Sequence, residues 1–318
     1  MTKYERRYNV LSLFSGCSMD RVALDRAGIN VRYHMASEID KYAIQVAKRN
    51  HPDIHHLGNV TECEHRWTEH NYPEMDIMIG GSPCQGFSFA GKQLNFDDPR
   101  SKLFFEFVKL KNLLKPKYFL LENVRMKQEH QDIISQHLGV EPIAINSNLV
   151  SAQNRYRLYW TNIPNVTQPE DKGILLQDIL EDGIVDRDKS HCLDANYFKG
   201  GNLKSYFEKH RRQLVFSTDG LCHVGDADIK GHDSIKRVYH PQGKAPTLTT
   251  MGGGHREPKV IVDELTWRKL TPLECERLQT LPDGYTDKDV SNTQRYKMLG
   301  NGFTVDVIAH ILKGIKDE

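Results

Sequence analysis

Cys84 sits in Ile79-Gly80-Gly81-Ser82-Pro83-Cys84-Gln85-Gly86-Phe87-Ser88, a segment that puts a thiol in a sharp turn. A thiolate is a soft, strong nucleophile that can attack an electron-poor carbon. The apolar run Met75 to Ile79 reads as a buried strand, stopped by two glycines and a proline. The thiol therefore falls past the carboxyl end of a strand, where open α/β sheets bind ligands. A cysteine at a turn is more often just a small buried residue, so its companions matter. Leu121-Glu122-Asn123-Val124 places a carboxylate directly after another buried run, on the same sheet edge. An acid there can assist covalent attack on a ring, although Glu122 and Asn123 also suit helix capping. If Gln153-Asn154-Arg155-Tyr156-Arg157 is a strand, Gln153, Arg155 and Arg157 share one face. Paired guanidiniums suit a phosphate or a polar base edge; taken alone, the segment reads as an exposed basic edge strand.

A second constellation lies earlier. Leu13-Phe14-Ser15-Gly16 follows the first apolar run and opens a helix, a context for a nucleotide-type cofactor at a helix N-terminus. Ser18 and Met19 stand where the dinucleotide fingerprint needs glycine, which disfavours a dinucleotide. Glu38 ends the second strand, where an acid commonly binds ribose hydroxyls; a solvated strand-end carboxylate is the plain alternative.

The elements that must hold these residues alternate. Strands are expected at 8–14, 30–37, 76–79 and 118–121. Helices are expected at 19–27, stopped by Gly28, at 40–49, capped by Asp40, and at 100–114. Such alternation predicts a doubly wound, mostly parallel sheet covered by helices on both faces. From Pro164 onward glycines, histidines and charges punctuate short segments, as in a smaller, loop-rich region. Regularity returns at Leu270, where Thr271-Pro272-Leu273-Glu274 has the form of a capping box with proline at the first helical position. A last amphipathic helix spans roughly 304–315.

Composition narrows the class. The 318 residues, 38% hydrophobic, suffice for one large domain or two. No stretch is long and apolar enough to span a bilayer, and Met1 to Arg7 lacks a signal-peptide core. Six cysteines without a CxxC pair argue against a disulfide framework or zinc ribbon and for a reducing cytoplasm. The histidines show no ligand spacing with them, so no metal is expected. A net charge of +1 means that any nucleic-acid site must come from local clusters of basic residues.

Phe14-Ser15-Gly16, Glu38, Pro83-Cys84-Gln85, Glu122-Asn123-Val124, Gln153 to Arg157 and Gly300-Asn301-Gly302 occur in this order. Together with Leu270 to Pro282, the set resembles the DNA (cytosine-5)-methyltransferase family over nearly the whole chain. The resemblance implies an S-adenosylmethionine-dependent, Rossmann-like methyltransferase fold with a smaller target-recognition domain. It implies that Cys84 adds to carbon 6 of a flipped cytosine and that carbon 5 takes the methyl, leaving S-adenosylhomocysteine. It gives Glu122 to the ring N3 and amino group, Asn123 to holding its loop, and Arg155 and Arg157 to the target base and flanking phosphate. Phe14, Gly16, Glu38, Ile39, Asn59, Val60, Pro83, Asn301 and Phe303 match cofactor-pocket positions. Two departures are visible: Ser18 replaces a loop glycine, and Asn59 replaces an aspartate that would accept from the adenine amino group.

By the same resemblance, residues 1–164 form the catalytic and cofactor-binding domain, 165–263 the recognition domain, and 264–318 a segment returning to the first. The loop 87–100 is expected to close over DNA as a mobile lid. Candidate DNA contacts are Gln85, Ser88, Arg211, Arg212, Arg237, Thr249, Thr250, Gly253, His255 and Arg256, with the hydroxyl-and-glycine run 243–255 as a major-groove loop. The expected protein is a monomeric cytoplasmic enzyme of bacterial or phage type, acting on double-stranded DNA, without regulatory extension and with room for a cognate endonuclease. The rivals are a tRNA-type RNA cytosine-5 methyltransferase and a catalytically silent DNA-binding regulator.

Overall fold

The computed structural model describes residues 6–70, 72–82, 99–217, 223–226, 237–239, 259–260, 267–287 and 290–315. The first half alternates strands β1 (Arg7–Leu13), β2 (Asn30–Ser37), β3 (His55–Gly58), β4 (Ile77–Gly80) and β5 (Tyr118–Val124) with helices α1 (Met19–Ala27), α2 (Lys41–Asn50), α3 (Cys63–Glu69), α4 (Pro99–Leu114) and α5 (Gln128–Leu138). Strands β6 (Pro142–Asn146) and β7 (Tyr156–Thr161) complete a seven-stranded sheet of order β3-β2-β1-β4-β5-β7-β6. The order reverses between β1 and β4, so the carboxyl ends of these two strands flank a topological switch point. Strands β1 to β5 pair in parallel, whereas β7 runs antiparallel between β5 and β6.

This corrects one expectation. The Gln153-to-Arg157 segment is not an exposed basic edge. Only Tyr156 and Arg157 enter β7, an interior strand with both neighbours present, while Gln153 makes an isolated bridge to Ser190.

The central strands are apolar on both faces, as parallel strands covered by helices must be. Val10, Ile77, Ile79 and Leu120 turn into one buried cluster, and Leu11, Leu13, Met78 and Leu121 turn into another. This period-2 division contributes about 1.5–3 kcal/mol for each fully buried large side chain. The first cluster continues through Ala23 and Leu24 of α1; the second continues through Phe104 and Phe107 of α4. Helix boundaries follow local chemistry. Asp40 accepts from the Tyr42 N–H at 3.0 Å to start α2, and Gly28, at φ 64, ends α1 in a left-handed cap.

Beyond β7 lie α6 (Leu203–Lys209), β8 (Leu214–Phe216), β9 (His223–Asp226), β10 (Arg237–Tyr239), β11 (Lys259–Val260) and β12 (Trp267–Lys269), then α7 (Pro272–Leu278), α8 (Asn292–Asn301) and α9 (Val305–Leu312). Strand β8 pairs with β12, and β9 to β11 form a separate three-stranded sheet. Thr271 and Glu274 cap α7 reciprocally, at 3.2 and 2.8 Å. Val305, Ile308 and Leu312 of α9 join the first buried cluster, and so do Leu176, Ile179, Leu193 and Tyr197. The chain segment from about 176 to 197 is thus continuous with the main core. Arg26–Asp306 at 2.6 Å and Lys297–Asp40 at 2.7 Å tie the returning segment to α1 and α2. Among the described residues no helix is long and apolar enough to cross a membrane.

Candidate active site

Two groups of polar residues meet the carboxyl edge of the sheet. The first surrounds the turn after β1. Phe14, Gly16 and Ser18 all adopt positive φ, at 56°, 53° and 60°, so the chain reverses tightly before α1. Ser18 keeps the left-handed conformation in which glycine was expected, at a steric cost that a Cβ imposes. The Glu38 carboxylate accepts from the Gly16 N–H and from the Ile39 and Asp40 N–H groups, each at 2.8 Å. It therefore locks the turn to the end of β2, beside the Ser15 N–H bond to the Ser37 carbonyl at 3.1 Å. Ile39 next to it is 72% exposed, an uncovered apolar side chain at a sheet edge. Asn59 caps the short turn Val60–Glu62 through its side-chain oxygen, 3.2 Å from the Thr61 N–H, and Val60 is buried beneath.

Under this turn lies a cluster that the sequence reading did not single out. Ser12, Asp20 and His34 are all buried. The Ser12 hydroxyl donates to Asp20 Oδ2, and His34 Nε2 stands 2.8 Å from Ser12 Oγ and 3.1 Å from Asp20. With the serine proton committed to Asp20, His34 Nε2 is the donor in this cluster. Burial pushes the Asp20 carboxyl up, but the His34 and Ser12 hydrogen bonds and the His34 charge outweigh it and hold it below the ordinary value. Tyr285, from the returning segment, donates to the Cys17 carbonyl at 2.8 Å and the Ser18 carbonyl at 3.1 Å. Cys17 itself is an inert thiol, pushed up to about 12 mainly by burial.

The second group stands at β5 and β7. Arg157 Nε lies 2.9 Å from Glu122 Oε1, both largely buried. Burial would lower the Arg157 guanidinium, but Glu122 and Cys192 raise it, so it remains a cation. Asn123 is buried, accepts from the Val124 N–H through Oδ1 and reaches Ser82 Oγ at 3.4 Å. It thus ties β5 to the residue just before Pro83. A Cβ on Gly81 would stand 3.2 Å from the Phe303 ring and 3.3 Å from Glu122 Oε2, so glycine admits both.

Arg155 is placed differently from Arg157. It is buried, and its guanidinium donates to the carbonyls of Leu193 (3.1 Å), Gly300 (3.2 Å) and Gly302 (2.7 Å), with Cys192 Sγ at 3.3 Å. It clamps the segment carrying Phe303 and leaves little to offer a substrate. Burial alone would raise the Cys192 thiol, yet the two arginines hold it below its usual value.

Gln279 is the residue that sequence reasoning missed on this side. It is buried and joins Gln153 (3.0 Å), Thr304 (3.0 Å) and the carbonyls of Leu299 and Gly302. A glutamine within the apolar run Leu278-Gln279-Thr280-Leu281 was the available signal.

The structure brings Glu122, Asn123, Arg157 and Phe303 together, and separately Phe14, Gly16, Glu38 and Ile39. Asn301 ends α8 exposed. Pro83, Cys84, Gln85, Ser88, Thr249, Thr250, Gly253, His255 and Arg256, like most of the proposed lid, lie outside the described residues. Arg237 is described only as backbone in β10.

A family model for C-5 cytosine-specific DNA methylase matches residues 8–317. A type II methyltransferase, M1.ScrFI of Lactococcus lactis subsp. cremoris, is 30% identical, with 95% of this chain and 76% of that protein covered. Type II methyltransferase M.HhaI of Haemophilus parahaemolyticus is 29% identical over 96% of this chain and 93% of its own. The solved Entamoeba histolytica methyltransferase EhMeth superposes with a TM-score of 0.67 at 16% identity, covering 98% of each chain, which speaks for the fold. The sheet is accordingly the Rossmann-like one of S-adenosylmethionine-dependent methyltransferases. Because the family model runs almost from end to end, this chain belongs to the C-5 cytosine-specific DNA methylases and is a DNA cytosine methyltransferase.

Proposed function

We propose that the chain methylates carbon 5 of a flipped cytosine within a short duplex sequence, with Cys84 as the covalent nucleophile. The observation that supports this most is the Glu122–Arg157 pair at 2.9 Å, beside a β4 terminus that Asn123 holds through Ser82. Cys84 follows Ser82 by two residues in the sequence.

The family and the fold imply S-adenosylmethionine as methyl donor, and the residues of the first group suit it. Gly16 and Gly58 have no atom within 4 Å of where a Cβ would stand, leaving room at the turn and at the end of β3. Glu38 keeps a lone pair on Oε2 for a ribose hydroxyl, Ile39 offers an apolar face for adenine, and the Asn59 amide oxygen a second lone pair. When bound, S-adenosylmethionine supplies the electrophilic methyl that carbon 5 accepts.

The chain's own residues do the rest. The Cys84 sulfur adds to carbon 6 of the ring, and the electron pair of the 5,6 double bond moves to carbon 5. Glu122, oriented by Arg157, hydrogen-bonds N3 and the exocyclic amine and so offsets the charge that develops in the ring. After the methyl is in place, loss of the carbon-5 proton expels the Cys84 thiolate and restores the double bond. Arg155 acts at one remove, by fixing Phe303 and the neighbouring carbonyls.

Base-resolution methylation sequencing tests this in DNA from a methyltransferase-free host expressing the chain or its Cys84→Ala variant. Carbon-5 marks within one motif, absent in the variant, are expected. Unmarked DNA from soluble, folded protein would overturn the reading and send the search to host RNA. Duplex carrying 5-fluorocytosine at the mapped site should trap a Cys84 adduct, because the fluorine cannot leave.

A further inference from the structure

Among the described residues, Cys192 is the one thiol that burial does not silence. Cys17, Cys63 and Cys275 are buried, and burial pushes each of their thiols up. Cys192 is only partly covered and lines a cavity of about 470 Å³ together with Arg157. Its sulfur lies 3.3 Å from Arg155 Nη1 and 3.8 Å from Arg157 Nη2, so both guanidiniums donate to one atom. A neutral thiol there would donate to the Leu193 carbonyl at 3.4 Å, an oxygen that Arg155 Nη1 also holds, at 3.1 Å.

Charge at this junction is uneven. Two guanidiniums, Arg155 buried and Arg157 largely so, share the sulfur. Among the described residues Glu122 is the one carboxylate paired with either, through Arg157 Nε at 2.9 Å. The donors of Arg155 meet three main-chain carbonyls and the Cys192 sulfur. A carbonyl accepts a hydrogen bond but returns no net charge, and a buried cation without a counter-charge is costly. Burial and then Arg157 push the Arg155 guanidinium down, while Cys192, ahead of Glu122, pushes it back up. Burial pushes the Cys192 thiol up in turn, but Arg155 and Arg157 outweigh it and hold the thiol below its ordinary value. The other titratable or charged groups around the cavity are His191, Asp194, His210, Arg211 and Arg212. Asp194 stands 3.6 Å from Arg211 and 3.5 Å from Arg212, so its charge is directed to those two. Tyr159, which feels both arginines and Glu122, is pushed up by burial and stays neutral.

We infer that Cys192 is a thiolate counter-ion shared by Arg155 and Arg157, and a positioning residue that keeps Arg157 turned toward Glu122. The inference rests on the function proposed above and deepens it. Arg157 is held at three corners: Nε on Glu122, Nη1 on the Tyr156 carbonyl at 2.9 Å, and Nη2 on the sulfur. Without the sulfur the third corner is open, and the like charge of Arg155 remains beside it. The guanidinium is then free to leave the carboxylate, and Glu122 loses its orientation toward the ring N3 and amine. Cys192 forms no bond to the substrate and takes no part in methyl transfer itself.

The test compares the full chain with its Cys192→Ser, Cys192→Ala and Cys192→Asp variants. Serine exchanges one atom and keeps the packing, so a fold lost in the alanine variant does not end the test. The ultraviolet absorbance of thiolate is titrated in the wild type and in Cys192→Ser, and the difference separates this sulfur from Cys84. A difference step below the ordinary thiol value is expected. The single-turnover methylation rate on duplex DNA should fall about tenfold in the serine and alanine variants, with DNA affinity within about twofold, because misorientation acts on the chemical step. Aspartate restores an anion and should recover most of the loss. A packing role alone would let serine work and aspartate fail. That pattern, or a difference step at or above the ordinary thiol value, overturns the inference. A wild type that does not methylate DNA overturns the proposed function, and the titration then still decides the counter-ion.

Discussion

The two polar groups at the sheet edge are built on different principles. The cluster at the turn after β1 joins residues close in sequence: Ser12 bonds Asp20 and His34 across separations of 8 and 22 positions. The β5–β7 cluster joins Arg155 to Gly302 across 147 positions, and Gln153 to Gln279 across 126. The first follows once β1, α1 and β2 form one unit. The second exists only when the C-terminal segment has returned to β7. Its buried guanidinium also serves three carbonyls and a sulfur at once, whereas the Asp20 carboxylate serves two partners. The nonlocal cluster should therefore govern global stability and its coupling to activity, and the local one the finer behaviour of the turn after β1.

Arg155→Met breaks this comparison most directly. It removes a buried cation of similar length and leaves the Leu193, Gly300 and Gly302 carbonyls without their donor. Leaving a buried acceptor without its donor costs about 1–3 kcal/mol, and urea unfolding should show a loss of at least that size. Methylation should fall even below the melting transition, because the Gly300–Gly302 backbone leading into Phe303 loses its anchor. A loss under about 1 kcal/mol would mean that the returning segment holds itself, and the clamp would be incidental.

Asp20→Asn probes the local cluster. The change removes charge-assisted hydrogen bonds worth about 1.5–3 kcal/mol. The sign with pH follows from the direction of the shift. The folded carboxyl lies below its unfolded value, so its contribution is complete above about pH 4 and is lost as pH falls through the folded value. Urea titrations at pH 7, 5 and 3 should show the wild-type advantage shrinking at the acid end. An advantage that stays constant down to pH 3 or grows with acid would show that the carboxylate is not held by His34 and Ser12 in this way.

The same contrast explains what could be read from the sequence. The Asp40 cap, the Gly28 stop and the Thr271–Glu274 box depend on neighbours within a few positions, and all three stand as expected. The alternation that implied a parallel sheet likewise depends on local period. The antiparallel insertion of β7 depends on a crossover that hydropathy does not encode, so an interior strand passed for an exposed basic edge. Arg155 and Arg157 are two residues apart and of one type, yet one bonds main-chain carbonyls and the other a carboxylate. Only the three-dimensional return of Gly300 to Gly302 distinguishes them. Asp20 and His34 are individually unremarkable in sequence. Their meeting requires the β1–β2 register, in which Val10 faces His34 and Ser12 faces Ala36.

Ser18→Gly refines the comparison at its smallest scale. Ser18 is buried at φ 60, and its hydroxyl has no hydrogen-bond partner. A Cβ in this region costs about 1–2 kcal/mol, and glycine returns some of that as unfolded-chain entropy, about 0.4–1 kcal/mol. Relief of the stranded hydroxyl adds to the gain, so the variant should be more stable by about 1 kcal/mol, read as a raised urea midpoint. The turn should keep its shape, since Glu38 holds Gly16 and Tyr285 holds the Ser18 carbonyl through main-chain atoms that the substitution leaves alone. No such gain is available at the β5–β7 cluster, where truncating Arg155, Arg157 or Gln279 removes side-chain bonds. A neutral or destabilised Ser18→Gly would mean that the hydroxyl is engaged in the working enzyme, and the cofactor itself would then be the first partner to test, by measuring the variant's affinity for S-adenosylmethionine.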